Sequence, residues 1–422
     1  MAGAPGAALA NEPNQETGQD MSNEQAENDT QPLTLEDWSA FIENVRALPQ
    51  QMLEKLPEDQ RSDPRIQEEV TRLAFQSLIS VGLDTLGGDP DFPQFLPTIS
   101  EVMNVGQPNA DTIYRAARIA PDGTYRLTGL RGSLNQAVVS QVVPRNAETG
   151  KGRAHLDLNE ISVDADGRFD VLISASKPEG FAGDWWELRP AANRLLVRLV
   201  SSNWAEERSP TLSLERLDLP MGQGREEAGA FAQKLKAAPV AMDFLGGMFV
   251  DRVQALAEEG FVHRFKPFDI TSAGGLQGQF YYETVYQLED DEALVIETEI
   301  PLECPYRSLI LTNHLYQTTN WYNNHSSLNG DQSPPDSDGK WRVVVSNVDP
   351  GVRNWLDPAG FKRGIIQGRW TNCSDTPVPQ IELVKLAELD AHLPGDVARV
   401  TAEERDAIIR NRRAAQLQRP HW

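Results

Sequence analysis

The chain has 422 residues, 40% of them hydrophobic, with nine Trp and a formal net charge of −23, enough for two domains or one large domain with an appendage. So negative a chain argues against nucleic acid, anionic membrane surfaces and polyphosphate substrates as partners, because each would meet a repulsive field. No run of eighteen apolar residues occurs, so no membrane-spanning helix is expected.

Residues 1–33 carry six acids (Glu12, Glu16, Asp20, Glu24, Glu27, Asp29) and no Lys or Arg, which leaves −17 on the remainder. Few apolar groups stand against that charge, so a disordered acidic tail is expected, with Met21 as a candidate alternative start. There is no basic n-region and no h-region of signal length. With only Cys304 and Cys373 in the chain, a metal cluster is not expected. Both thiols are read as reduced and buried in a cytoplasmic protein.

The tail gives way to a capping pair, Thr34 and Asp37, ahead of Trp38, Phe41, Ile42, Val45 and Leu48 at helical spacing. Asp63-Pro64 opens a second helix with Ile66, Val70, Leu73, Ser77 and Val81 on one face, closed at Gly82. From about residue 112 the period changes. Segments 124–130, 134–143, 168–175, 194–200 and 211–217 are short, apolar and separated by turns such as Pro121-Asp122-Gly123, the pattern of antiparallel sheet.

A helical stretch returns over 226–259, interrupted near Pro239 and at Gly246-Gly247. Strands follow at 279–288, 293–300, 307–312, 341–346 and 364–370, and Thr401 with Glu404 forms a capping box before a helix to about 415. This order predicts an α+β protein with antiparallel β-sandwich or jelly-roll-like sheets and N-terminal, central and C-terminal helices. The expected division is a tail (1–33), a helical plus β module (34–225) and a β-sandwich domain with flanking helices (226–422).

Candidate chemistry lies first in 319–332, a polar stretch that cannot be a core strand. Trp321 and Tyr322 offer flat apolar walls, His325 an imidazole, and Asn324, Ser326, Ser327 and Asn329 oriented hydrogen bonds. Such a loop either shapes a pocket or merely connects, with Trp321 plugging the core. Glu297 and Glu299 share one face of their strand, about 7 Å apart. That spacing suits a proton donor and acceptor, or an ordinary solvated sheet face. Asp111, Tyr114 and Arg115 stand just before the first sheet, and Arg369 lies in a late strand beside Trp370. Consecutive antiparallel pairing of the 293–300 and 307–312 strands would bring the 321–329 loop beside Glu297 and Glu299, with Arg369 as their nearest charged partner. Each arginine could serve a structural salt bridge or grip a substrate.

Nothing matches a phosphate loop: Gly274-Gly275-Leu276-Gln277-Gly278 has neither the spacing nor the following helix. The six scattered histidines argue against zinc, Asp336-Ser337-Asp338-Gly339 reads as a hairpin turn, and there is no Gly-x-Ser-x-Gly elbow. No cofactor is expected.

The C-terminal half resembles a bacterial family known only as domain of unknown function twelve-fourteen. The resemblance rests on Leu294–Glu299, Trp321–Gly330, Asp349-Pro350-Gly351 with Asn354-Trp355-Leu356-Asp357, and Gly368-Arg369-Trp370. It covers residues 240–420 and implies a β-sandwich. An N-terminal module that often accompanies the family carries an Asn-x-Asp-Thr-x-Tyr element, similar to Asn109–Tyr114 here.

Acid/base chemistry is what these residues leave available. The expectation is a lyase acting on a small aromatic or alicyclic hydroxylated substrate, among walls that include Trp355 and Trp370. His325, Tyr114 or a glutamate would act as base, with Asp111 nearby, and Arg369 or Arg115 would stabilise developing charge. The alternatives are a carbohydrate-binding or assembly protein, or a glycoside hydrolase using Glu297 and Glu299. A small molecule is the expected partner, and a homo-oligomer is compatible with the composition.

Overall fold

The computed structural model describes residues 32–144, 155–270, 275–276 and 278–421. Most of the expected acidic tail, residues 1–31, lies outside the described residues, as do parts of 274–278.

Helices α1 (Leu35–Leu53), α2 (Glu58–Arg61) and α3 (Pro64–Gly87) come first. Thr34 caps α1 with a reciprocal box to Asp37, and Asp63 with Pro64 starts α3. The third helix runs five residues past Gly82, because its last turn supplies Asp84, which accepts hydrogen bonds from Arg118 and Arg194. Pro239 sits inside α4 (Ala230–Gly247) without ending it, since α4 packs on α1 and α3 along its length. Gly246 permits that approach: a Cβ there would come within 2.2 Å of Ser77 Oγ. A short α5 (Arg252–Glu258) follows, so helices on both sides of residue 225 share one apolar core.

Strands β1 (Leu96–Pro97), β2 (Thr112–Arg118), β3 (Tyr125–Leu130), β4 (Gln136–Val142), β5 (His155–Asp157), β6 (Arg168–Ser174), β7 (Asp184–Glu187), β8 (Arg194–Val200) and β9 (Ser213–Arg216) form a first sandwich. Its sheets run β1-β2-β8-β4-β5 and β7-β6-β3-β9. The second sandwich uses β10 (Lys266–Asp269), β11 (Gln279–Gln287), β12 (Glu292–Glu299), β13 (Tyr306–Leu311), β14 (Ser327–Asn329), β15 (Lys340–Val345), β16 (Trp355–Leu356), β17 (Arg363–Thr371) and β18 (Gln380–Lys385). Its orders are β10-β11-β17-β13-β14 and β16-β15-β12-β18. The chain is α+β with sandwiched, largely antiparallel sheets.

Period-two alternation explains both cores. In the first, Ile113, Val139, Val197 and Leu199 face Leu127, Val171 and Ile173. In the second, Tyr282, Tyr286, Leu309 and Trp370 face Leu294, Ile296, Trp341 and Val343. In each sandwich the other face of the five-stranded sheet carries a different set, including Thr112, Tyr114 and Arg198 in one and Tyr281, Glu283, Gln367 and Arg369 in the other.

Three expectations need correction. The 319–332 stretch is not loop throughout: Ser327–Asn329 form the buried β14, paired with β13, with Leu328 in the second core. Strands β12 and β13 are neighbours in the chain but not in a sheet: β12 pairs with β15 and β18, whereas β13 pairs with β14 and β17. The 300–305 connection crosses between layers, so Glu297 and Arg369 lie in different sheets. Cys304 and Cys373 are joined in a disulfide. The β13/β17 register, Tyr306 opposite Thr371, continued two residues further, sets these cysteines opposite one another. Disulfides persist in oxidising surroundings, so the thiols no longer support a reducing compartment. Among the described residues no helix is long and apolar enough to cross a membrane.

The 3₁₀ segment Leu386–His392 leads to α6 (Ala402–Gln418), capped by Thr401 and Glu404 as expected. This last helix ties the sandwiches together. Arg412 donates to Ser327 Oγ (2.9 Å), Gln416 to the Ala110 carbonyl (2.9 Å), and the neighbouring Arg419 to the Asp111 carbonyl (2.7 Å).

Candidate functional site

The two outward sheet faces line one cavity of about 770 Å³. Two pairs of strands build its charged walls in the same way. Tyr114 on β2 stands opposite Arg198 on β8, and Tyr281 on β11 stands opposite Arg369 on β17. Antiparallel partners point to the same side of a sheet, so each sandwich presents a phenol beside a guanidinium. Phe244, Phe249 and Arg252 enter from α4, α5 and their junction, and Phe268 from β10.

Along the second sheet runs a continuous hydrogen-bonded chain. Arg369 Nη2 donates to Gln367 Oε1 (2.6 Å), and Gln367 Nε2 to Tyr316 Oη (2.9 Å). Tyr316 Oη donates to Glu283 Oε2 (3.3 Å), and Arg252 closes the chain on Glu283 Oε1. Glu283 is 1% exposed and Arg369 4%. Tyr316 has φ of 63°, a conformation a bulky side chain rarely adopts. Asn313 Oδ1 holds it there by accepting from the backbone N–H groups of Leu315 and Gln317.

Burial sets the electrostatics. It pushes the Tyr281 phenol up and the Tyr316 phenol up to about 12, so both remain proton donors at neutral pH. For Arg369, burial is outweighed by the Tyr281, Tyr306 and Tyr114 oxygens and the Asp111 carboxylate, and the guanidinium is held above its ordinary value.

A second polar cluster lies at the junction of the sandwiches. Asp111 is fully buried and accepts from Trp204 Nε1 (2.7 Å), Asn329 Nδ2 (2.9 Å) and Tyr306 Oη (2.6 Å). Burial raises its pKa despite these bonds. The Asn109–Asp111 turn and Asn329 are therefore brought together, but as a cross-domain latch.

Of the residues expected at the site, Tyr114 and Arg369 line the cavity. The others are committed elsewhere. Glu297 is bound by Lys340 (2.5 Å) and Arg342 (2.6 Å) on the outer face of the β12 sheet, and Glu299 is largely solvent-exposed. His325 is buried, stacks on Trp355 and bonds its carbonyl through Nδ1. Burial, with Arg412 and Arg405 nearby, drives its pKa well below the ordinary value, so it stays neutral. Arg115 donates to the Pro420 carbonyl.

The 319–332 stretch consumes its own polarity. Asn324 bonds the Asn320 carbonyl, Ser326 the Thr319 carbonyl, and Ser327 accepts from Arg412. Trp321 packs with Ala110, Trp204 and Ile310, while Tyr322 Oη meets His421 (2.8 Å). Trp355 donates to the Ser346 carbonyl, and Trp370 lies in the second core bonded to the Pro377 carbonyl.

Sequence reasoning passed over Arg198, Tyr281, Glu283, Tyr316 and Gln367. The signal was a lone charge inside an apolar strand: Arg198 in Leu195–Val200, and Glu283 in Phe280–Tyr286. A groove of about 790 Å³ on the β3/β6 side of the first sandwich is comparable in size, but its Asp170 is taken by Arg126. Among the described residues no group of three or more His, Cys, Asp or Glu is arranged to hold a metal ion.

No family model matches the chain, and no curated protein matches it significantly. The crystal structure of an uncharacterized protein from Burkholderia cenocepacia is similar over 83% of this chain and 97% of that one, with a TM-score of 0.75 and 26% identity. A protein from Vibrio parahaemolyticus aligns over 81% of this chain and all of its own, at 12% identity and a TM-score of 0.45.

Proposed function

We propose that the inter-sandwich cavity is the active site of a cofactor-independent acid/base enzyme, a lyase acting on a small hydroxylated aromatic or alicyclic molecule. The observation that carries this reading is the convergence of Tyr114, Tyr281, Glu283 and Arg369 on one cavity. Tyr281 and Glu283 alternate onto the same face of β11, one strand repeat apart, about 7 Å. A phenol kept protonated by burial and a carboxylate at that spacing are an acid and a base for one substrate. Arg369, with the Gln367–Tyr316 chain behind it, would stabilise negative charge developing on the substrate. Phe249 and Phe268 would hold a flat apolar body. Glu297 and Glu299 have no part in this scheme, which takes away the paired-glutamate hydrolase. The likeness of residues 240–420 to domain-of-unknown-function family twelve-fourteen forms part of the same proposal.

The test is a turnover screen of hydroxylated aromatic and alicyclic compounds, following new unsaturation by ultraviolet absorbance. An active compound should lose roughly two to four orders of magnitude in kcat with Glu283→Gln or Tyr281→Phe. Ligands that bind in the cavity and emerge unchanged would instead favour a non-catalytic binding protein.

A further inference from the structure

We infer that the cavity recognises its ligand by a carboxylate, gripped between Arg369 of the second sandwich and Arg198 of the first. The inference rests on the cavity being the ligand site and goes further by naming the group that must be present. Four arginines reach the cavity wall. Two already have acids: Arg194 pairs with Asp84 (2.8 Å) and Arg252 with Glu283. Arg198 and Arg369 have no carboxylate of the described residues within the 4.0 Å of an ion pair. Arg198 Nη1 donates to Ser140 Oγ (3.1 Å), which is also 2.8 Å from His155 Nδ1, and Arg369 Nη2 donates to Gln367. The buried Nε of Arg369 has no hydrogen-bond partner.

Arg369 is buried and Arg198 half-buried, and a guanidinium stays charged and loses hydration on burial, a penalty unless an anion or full hydrogen bonding offsets it. Three other buried arginines meet that demand, Arg342 on Asp336 and Asp338, Arg405 on Asp349 and Arg419 on carbonyls, whereas Arg412 bonds Gln332 and Ser327 and, like Arg369, leaves its Nε without a partner. The pair at the cavity bonds only an amide and a hydroxyl, with phenols alongside and the Asp111 carboxylate acting on Arg369 from beyond ion-pair distance. An incoming carboxylate supplies the missing acceptor, in the planar geometry a guanidinium bonds best. Aromatic walls beside it, among them Tyr281 with its ring centroid 4.6 Å from the Arg369 guanidinium carbon, suit an organic body rather than a bare inorganic ion.

Calorimetric titration of the full chain with naphthalene-2-carboxylate, naphthalene-2-carboxamide and inorganic phosphate tests this directly. The carboxylate should bind at least tenfold tighter than the amide of the same shape, and tighter than phosphate. Arg369→Gln and Arg198→Gln should each weaken it by tenfold or more, with Arg126→Gln, on the outer sheet, unchanged. The comparison on unaltered protein needs no variant to fold. Equal binding of acid and amide, or binding of neither, overturns the inference, and tighter binding of phosphate overturns the carboxylate assignment. Carboxylate selectivity lost with Arg369→Gln, in a protein that turns over no compound, upholds the subsite while removing the enzyme reading.

Discussion

Tyr281 and Arg369 are cross-strand partners in the second sandwich, and Tyr114 and Arg198 hold the same relationship in the first. Each pair sits on the face of its five-stranded sheet turned away from its own core. A sandwich needs only one face of each sheet to be apolar, so the opposite face is free to carry charge. Two such faces enclosing one cavity produce a site that neither sandwich has alone.

The chain of bonds behind Arg369 should be costly to cut. Gln367 accepts from Arg369 and donates to Tyr316 in a buried setting, so Gln367→Leu removes both bonds, orphaning the Arg369 Nη2 donor and leaving the Tyr316 hydroxyl only Glu283. A loss of roughly 1–3 kcal/mol is expected in urea unfolding. Stability equal to wild type would mean that the chain contributes nothing net.

The Asp111 latch makes a prediction with a sign. Asp111→Ala orphans the donors of Trp204, Asn329 and Tyr306 and should cost roughly 3–5 kcal/mol, whereas Asp111→Asn keeps most of them and should cost less. Because burial raises the folded pKa above the ordinary 3.8, the carboxyl contributes full stability below 3.8 and loses it as pH rises through its folded value. Asp111→Asn lacks that loss. Its melting temperature relative to wild type should therefore climb between acid and neutral pH, and a constant difference would show that Asp111 titrates normally.

Alternation made the strands legible: β8 falls on its expected bounds, and most others within one or two residues. It could not say which strands pair, because a strand's inward face looks the same whichever neighbour it has. That is why β12 and β13 were expected side by side, and why Glu297 was set beside Arg369. The 319–332 stretch misled for a related reason. Its polar side chains are as numerous as a binding site needs, yet Asn324 and Ser326 bond their own loop, His325 bonds Trp355, Ser327 accepts from Arg412, Asn329 bonds Asp111 and Tyr322 meets His421. Only the fold reveals that they are spent. Arg369 was visible because an isolated charge on a strand invites a partner, and the same test applied to Arg198 and Glu283 would have added two more residues of the cavity. Tyr114 was picked from a polar element placed before the sheet, whereas it lies within β2.

Reducing the Cys304–Cys373 bridge should lower stability. The bond closes a loop with a sequence separation of 69, and fixing such a loop in the unfolded chain stabilises the fold by about 2–4 kcal/mol. Replacing both cysteines by Ser should shift the denaturant midpoint down by that equivalent and make it insensitive to reductant. A wild-type midpoint unaffected by reductant would sink this prediction.

His325 should behave as a core residue rather than a base. Its imidazole is buried against Trp355 and bonded through Nδ1, so His325→Ala should lose roughly 2–4 kcal/mol while leaving kcat unchanged wherever the variant is folded. The sign of its pH dependence follows from a folded pKa held well below the ordinary 6.5. Above 6.5 both folded and unfolded imidazoles are neutral and the contribution is complete. As pH falls below 6.5 the unfolded chain takes up a proton that the folded one refuses, and stability declines towards the folded pKa. His325→Ala has no such proton to take, so the gap between wild type and variant should narrow from pH 7 to pH 5. A gap that held constant would place a titrating imidazole at this position, and a hundredfold fall in kcat without loss of stability would return His325 to the chemistry.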